Sequence, residues 1–268
     1  MKIKIFFLLY FLCLSIYSQQ FRNASTLSDL DQYYNNNGVA VADYDQDGDL
    51  DIFLVSYYSD GNNDSRLLEN TNNGNFIDVT AATGINQNLN HEIDLPSGFY
   101  FGDRLSASWG DFNNDGYPDL FLGNSVQSEL YKNNGDGSFT NITESAGFQV
   151  SCEDCYIAGA LWLDYDLDGR LDIFLSDYHS YSHNKLYRNL GNETFELIDL
   201  TSVILNKNSF SAIFMYINED EYPDIYIAND FDQDNALLIN QEGSGFVDRA
   251  EFYHVVDPRD GMGLATCD

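Results

Sequence analysis

Residues 164–177 read DYDLDGRLDIFLSD, an acidic nonapeptide running directly into a short apolar strand pattern, and the fold follows from how often this pair recurs. The nonapeptide appears as DYDQDGDLD (Asp43 to Asp51), DFNNDGYPD (Asp111 to Asp119), DYDLDGRLD (Asp164 to Asp172) and, in degenerate form, YINEDEYPD (Tyr216 to Asp224). Its first positions fall at 43, 111, 164 and 216, and Asp268, the last residue, stands where a fifth copy would begin. The steps are 68, 53, 52 and 52 residues. A period of that size indicates a repeat architecture.

The runs after the nonapeptide are DIFLVS, DLFLGN, DIFLSD and DIYIAN, whose length and apolar content suit a strand buried on both faces. The segments before it, GVAVAD (Gly38 to Asp43), SASWGD (Ser106 to Asp111) and GALWLD (Gly159 to Asp164), lean on small residues that suit an inner strand crowded near an axis. Each unit continues through a phrase such as LYKNNGDGSFTNIT (Leu130 to Thr143), which reads as two short strands around an Asn/Gly turn. Four strands per unit, with no heptad and no long amphipathic helix, predict an all-β protein: a β-propeller of four-stranded blades with the acidic loops between strands. The surplus of the first step lies in a loop insertion, Ile85 to Asp103, of the kind that carries partner specificity. FRNAST (Phe21 to Thr26) resembles an outer strand and is expected to close the ring. With propellers holding typically 4 to 8 blades, residues 19–268 read as about four blades and the start of a fifth, an incomplete ring and so a fragment.

The chain has 268 residues, 44% of them hydrophobic, enough for a buried core. It sets 12 basic residues against 43 acidic ones, for a net charge of −31. That charge repels phosphate backbones and anionic headgroups, so no nucleic-acid partner is expected. Lys2 and Lys4, the apolar run Ile5 to Ile16, and Tyr17 and Ser18 match a secretory signal over residues 1–18. The run falls short of the roughly 20 residues that span a bilayer, so no stable membrane insertion is expected once the signal is cleaved. The mature protein is then secreted, or held at the cell surface or in the periplasm. In an exported chain the CxxC of Cys152 and Cys155 points to a local disulfide, and a zinc site would want a second pair.

In DxDxDGxxD the side chains at positions 1, 3 and 5 point into one turn, Gly at 6 allows a sharp bend, the carbonyl at 7 turns inward and Asp at 9 closes the cage. Such a hard-oxygen site suits Ca²⁺, which takes 6 to 8 oxygens in flexible geometry, better than Mg²⁺, which demands a tighter octahedron. An EF-hand needs flanking helices and a Glu at position 12, and these flanks read as strands. One copy alone would read equally well as an Asx-rich turn that needs no metal; three copies with acid or amide at 1, 3, 5 and 9 favour calcium. The fourth copy has Tyr216 at position 1 and Glu221 at position 6, so weak binding or none is expected there.

The DxDxDGxxD loops, the DIFL-type strands and the phrases LYRNLGNETF and SFTNITESAGF resemble the FG-GAP/VCBS repeat family over roughly residues 20 to 268. These are the calcium-loop propellers of integrin α-subunit heads and of many secreted bacterial proteins, and the wording is most similar to cartilage-acidic-protein-like chains of the ASPIC/UnbV type. The resemblance implies Ca²⁺ ligands at positions 1, 3, 5, 7 and 9. In this sequence those are Asp43, Asp45, Asp47, Asp49 and Asp51; Asp111, Asn113, Asp115, Tyr117 and Asp119; and Asp164, Asp166, Asp168, Arg170 and Asp172, with position 7 acting through its carbonyl.

The family implies adhesion, carbohydrate recognition or protein contacts, so the expected partner is an extracellular protein or glycan and calcium is mainly structural. The alternative is an exported polysaccharide lyase or hydrolase on the same scaffold. No nucleophile or acid/base constellation stands out for it: His179 and His183 form HxxxH in a Tyr/Ser-rich loop, without HExxH, and His91 and His254 are isolated. Carboxylate pairs are spatial and stay open. Trp109 and Trp162 sit two residues before their loops, where packing between blades is expected. Tyr57, Tyr58, Tyr178 and Tyr181 follow the second strands and are better placed to meet a ligand.

Overall fold

The computed structural model describes residues 36–56, 65–71, 74–85, 104–125, 128–148, 155–178, 183–200, 202–203 and 207–259, together with Leu30, Gly261, Gly263 and Leu264. The expected signal peptide (1–18), the strand Phe21 to Thr26, residues 86–103 of the insertion, and Asp268 lie outside the described residues.

In chain order the strands are β1 (Asn36–Ala42), β2 (Asp51–Ser56), β3 (Arg66–Asn70), β4 (Phe76–Asp78), β5 (Arg104–Gly110), β6 (Asp119–Asn124), β7 (Glu129–Asn133), β8 (Phe139–Asn141), β9 (Ile157–Leu163), β10 (Asp172–Asp177), β11 (Lys185–Gly191), β12 (Thr194–Ile198), β13 (Ser209–Met215), β14 (Asp224–Asn229), β15 (Ala236–Asn240) and β16 (Phe246–Asp248), with a single helical turn α1 (Thr80–Thr83) after β4. They form four antiparallel four-stranded sheets, each in sequence order. The first strands lie side by side, β1 against β5, β5 against β9 and β9 against β13. This is the predicted all-β array of propeller blades. No helix among the described residues is long and apolar enough to cross a membrane.

The repeat extends to register. The last residue of each first strand pairs with the ninth residue of its loop: Ala42 with Asp51, Gly110 with Asp119, Leu163 with Asp172, Met215 with Asp224. A bulge near the other end interrupts every one of these pairings, at Asn36/Gly38, Arg104/Ser106, Ser176/Asp177 and Ser209/Ser211. Bulges increase local twist, so each sheet is turned in the same place. The second strands are the most enclosed: every residue of β6 and β10 is buried. A strand covered on both faces has no polar side to alternate with, which is why DLFLGN and DIFLSD read as near-continuous apolar runs.

The core sits between blades, in successive layers. Phe53, Leu67, Leu120 and Tyr131 join the first and second blades; Phe121, Leu130, Ile173 and Phe195 the second and third; Phe174, Leu186, Ile225 and Leu238 the third and fourth. Both tryptophans pack between blades, as expected. Trp109 meets Phe53 edge-on at 6.4 Å, and Trp162 stacks on Phe112 at 6.3 Å. Trp162 also covers Gly110 so closely that a Cβ there would lie 2.7 Å from the indole. The ring is itself hemmed in by Phe112 and by Phe195, whose centroids lie 6.3 and 6.4 Å away. Gly110→Ala is therefore expected to destabilise the chain by about 1–3 kcal/mol through overpacking, read as a lower urea midpoint at unchanged slope.

Cys155 is disulfide-bonded, and its sulfur accepts from Lys185 Nζ at 3.0 Å. Cys152, its expected partner, lies outside the described residues.

Candidate metal centre

Each acidic loop hangs on its ninth residue. Asp51, Asp119, Asp172 and Asp224 are all buried. One carboxylate oxygen of each accepts the N–H of loop position 2, from Tyr44 at 3.2 Å, Phe112 at 3.1 Å, Tyr165 at 3.1 Å and Ile217 at 2.9 Å. The other accepts an N–H from the third strand, from Asn70, Asn133, Asn189 and Asn240 at 2.7–2.8 Å. These four acids are thus structural as well as potential ligands. Burial pushes the carboxyl of Asp51 up to about 6, that of Asp172 to about 7 and that of Asp119 to about 8, against the pull of those same N–H donors. A nearby divalent cation would favour the charged form and reverse that shift.

Position 4 of every loop is left-handed: Gln46 (φ 62°), Asn114 (58°), Leu167 (57°) and Glu219 (62°). Position 6 is left-handed only where it is glycine, at Gly48 (φ 95°), Gly116 (94°) and Gly169 (84°). There its N–H reaches back to the carboxylate at position 1, at 3.1, 2.8 and 2.9 Å. The fourth loop has neither partner. Glu221 is absent from the left-handed residues, and Tyr216 is 59% exposed.

In the first and third loops the structure brings positions 1, 3 and 9 together: oxygens of Asp43, Asp45 and Asp51, and of Asp164, Asp166 and Asp172, lie within 4.8 Å of one another. Asp43 Oδ1 and Asp166 Oδ1 are buried without a hydrogen-bond partner. Burying a carboxylate oxygen unpaired is costly, and a hard cation is the partner that a set of converging oxygens lacks; the residues fit calcium. In the second loop Asn113 replaces the acid at position 3 and donates to Asp115 at 2.8 Å. The position 5 acids, Asp47, Asp115 and Asp168, accept the N–H of position 7, from Asp49, Tyr117 and Arg170 at 2.8–3.1 Å, so they brace the turn whose carbonyl the sequence pattern aims inward. The fourth loop keeps Asn218 bonded to Asp220 at 2.7 Å, with Asn218 Oδ1 buried and unpaired.

Three features escaped the sequence. The asparagines that close the phrases LYKN, LYRN and LLIN each fasten their blade to the acidic loop of the blade before it: Asn133 Nδ2 donates to Tyr44 O, Asn189 to Phe112 O and Asn240 to Tyr165 O, each at 2.8 Å. Their spacing from the ninth Asp varies, so only an alignment of third strands would have exposed them. Position 4 side chains bridge in the other direction, Gln46 to Gly116 O and Asn114 to Gly169 O, the latter at 3.0 Å. Finally, the third-strand residue before the asparagine differs in charge between blades. Glu69 lies beside the first loop and accepts from Tyr44 Oη at 3.0 Å, whereas Arg188 reaches into the third loop, 2.6 Å from Asp166 and 3.6 Å from Asp168. The third loop therefore carries its own counter-charge.

Of the tyrosines expected to meet a ligand, Tyr57, Tyr58 and Tyr181 lie outside the described residues. Tyr178 packs among Tyr156, Phe210 and Phe231 and donates its hydroxyl to Asp230, at the opposite blade ends from the acidic loops. His183 is described without its HxxxH partner His179, and His91 is also outside; His254 sits in a turn, at φ 58°.

A family profile described as FG-GAP-like repeat matches residues 111–175 and 164–227, each match running from one acidic loop through the next. Cartilage acidic protein 1 of Xenopus tropicalis is 26% identical over 165 residues, covering 59% of this chain and 22% of that protein. A solved structure concerning specific recognition of non-reducing terminal N-acetylglucosamine by an Agrocybe aegerita lectin aligns with 79% of this chain and 51% of its own, at 16% identity and a TM-score of 0.44. The chain thus spans about a fifth of the curated relative and about half of the lectin chain. With its loops, strands and register repeating in step with those matches, the chain carries FG-GAP-like repeats.

Proposed function

We propose that the chain is a secreted calcium-binding β-propeller that acts as an adhesion, protein-binding or carbohydrate-binding module rather than an enzyme, with calcium mainly structural. The observation that carries the calcium reading is the buried, unpaired oxygen of Asp43 and of Asp166, each in a cluster of three carboxylates. Calcium would be held by positions 1, 3, 5 and 9 of the first three loops and by the carbonyls of Asp49, Tyr117 and Arg170. It would supply charge neutralisation and cross-linking, since each of these loops ties a first strand to a second and accepts a hydrogen bond from the third-strand asparagine of the next blade. That role makes the ion part of the scaffold, leaving the blade-end loops to contact a partner.

The glycan and protein readings share a test. The calcium-loaded full-length chain is expected to be retained on members of a glycan array, or by immobilised extracellular proteins, without altering them. Release of shortened saccharides from bound glycans would replace the module with the enzyme.

A further inference from the structure

A cleft of about 350 Å³ opens between the second acidic loop and the β11–β12 hairpin of the next blade. Asn113, Asp115 and Lys132 line one side; Arg170, Asn192 and Glu193 line the other. Its openness traces to one residue. Loop position 7 is tyrosine in the second and fourth blades, and each ring lies over a glycine of its own hairpin: a Cβ at Gly135 would be 2.9 Å from Tyr117, and one at Gly243 would be 3.3 Å from Tyr222. In the third blade the same position is Arg170, 3.7 Å from the corresponding point on Gly191. Its guanidinium is drawn to Asp168 and, through Nε at 2.9 Å, to Asn189 O. No ring fills the space.

The rim is held in a defined shape. Asn192 and Glu193, the two turn residues of the hairpin, are both left-handed (φ 51° and 61°), which a glutamate adopts only at a cost in backbone energy. Glu193 pairs with Lys132 across the blade boundary, fastening the hairpin to the neighbouring blade. Strain maintained at a cleft edge is a feature of functional sites.

The lining identifies the ligand class. Lys132 and Arg170 balance Asp115 and Glu193, so the cleft is locally neutral in a chain of net charge −31. Its amides and charged groups offer donors and acceptors side by side: Arg170 spends two of the five N–H groups of a guanidinium on the protein, and the Asn192 amide has no hydrogen-bond partner among the described residues. Charges of both signs in the lining give no net attraction to a strongly ionic ligand, and the polar lining disfavours apolar ones; vicinal hydroxyls match donors and acceptors set side by side. We propose that this cleft is a binding site for a neutral saccharide, of a size near the lower end of small-ligand pockets. Asp115 belongs both to the cleft wall and to the second acidic loop, so calcium in that loop would order the wall. The proposal rests on the binding-module reading and makes it specific.

The test is saturation-transfer NMR on the calcium-loaded full-length chain, with methyl glycosides of neutral hexoses and N-acetylhexosamines as probes. Binding of at least one glycoside is expected. Arg170→Tyr, which installs the residue found at this position in two other blades, is expected to weaken it at least tenfold. Asn192→Gly, compatible with the left-handed backbone, is expected to weaken it several-fold and serves should the first variant fold poorly. Unchanged binding in the folded variants would overturn the cleft and leave the module standing. Capture of a protein partner by a chain that binds no glycoside would do the same. A calcium-loaded chain that retains neither glycan nor protein would overturn both.

Discussion

Chelating calcium from the full-length chain is expected to lower its melting temperature by roughly 8–16 °C. At about ten times Kd each occupied site adds ~1.4 kcal/mol to the folded state, so three sites add ~4 kcal/mol. One kcal/mol corresponds to about 2–4 °C in a domain approaching this size. Extracellular modules typically bind calcium with Kd near 10⁻⁴ to 10⁻³ M, so low-millimolar calcium should restore the transition and magnesium should restore it less. The structure gives the shift a physical basis. Without an ion, Asp119 and Asp172 are buried acids whose charged forms are disfavoured by burial, and Asp43 and Asp166 each bury an unpaired oxygen. Arg188 on β11 offers Asp166 a counter-charge at 2.6 Å. An unchanged melting temperature would remove calcium from the scaffold.

Asn189→Ala is expected to cost about 3–5 kcal/mol, comparable to losing all three ions. Its side chain is buried and makes three hydrogen bonds: Nδ2 to Phe112 O at 2.8 Å and to Leu171 O at 3.0 Å, and Oδ1 from Gly191 N at 2.9 Å. Truncation leaves those backbone groups unpaired at about 1–3 kcal/mol each where they are buried. Asn70 provides an internal comparison. It occupies the equivalent place in the first blade, where its amide bonds to Leu50 O at 3.2 Å on an exposed site and bridges to no earlier loop among the described residues. Asn70→Ala should cost about 1 kcal/mol. Urea denaturation of both variants measures the difference, and equal losses would show that the bridge between blades contributes nothing.

Much of this was legible in the sequence for an identifiable reason. Blade boundaries were readable because a second strand covered on both faces must be apolar throughout, so DLFLGN and DIFLSD stand out against the polar loops before them. The tryptophans were readable because they hold the same place relative to their loops, and both do pack between blades. What stayed hidden depends on backbone conformation or on a neighbouring repeat. Leu167 shows no sign of adopting φ 57°; it does so because position 4 is left-handed in every copy, whatever its side chain. Asn189 looks like an ordinary strand-end residue until Phe112, in the previous blade, is brought beside it. The fourth loop shows what the strands alone specify. Asp224 still bonds Ile217 and Asn240, so β13 and β14 keep their register although Tyr216 and Glu221 have replaced two residues of the motif.

The most direct measurement is the number of calcium ions bound by the chelator-stripped, full-length chain, by isothermal titration into the low millimolar range. Three ions per chain are expected, one in each loop that has an acid at position 1 and glycine at position 6, and none in the loop from Tyr216 to Asp224. A chain that takes up no calcium under these conditions would contradict calcium as the ion these loops are built to hold.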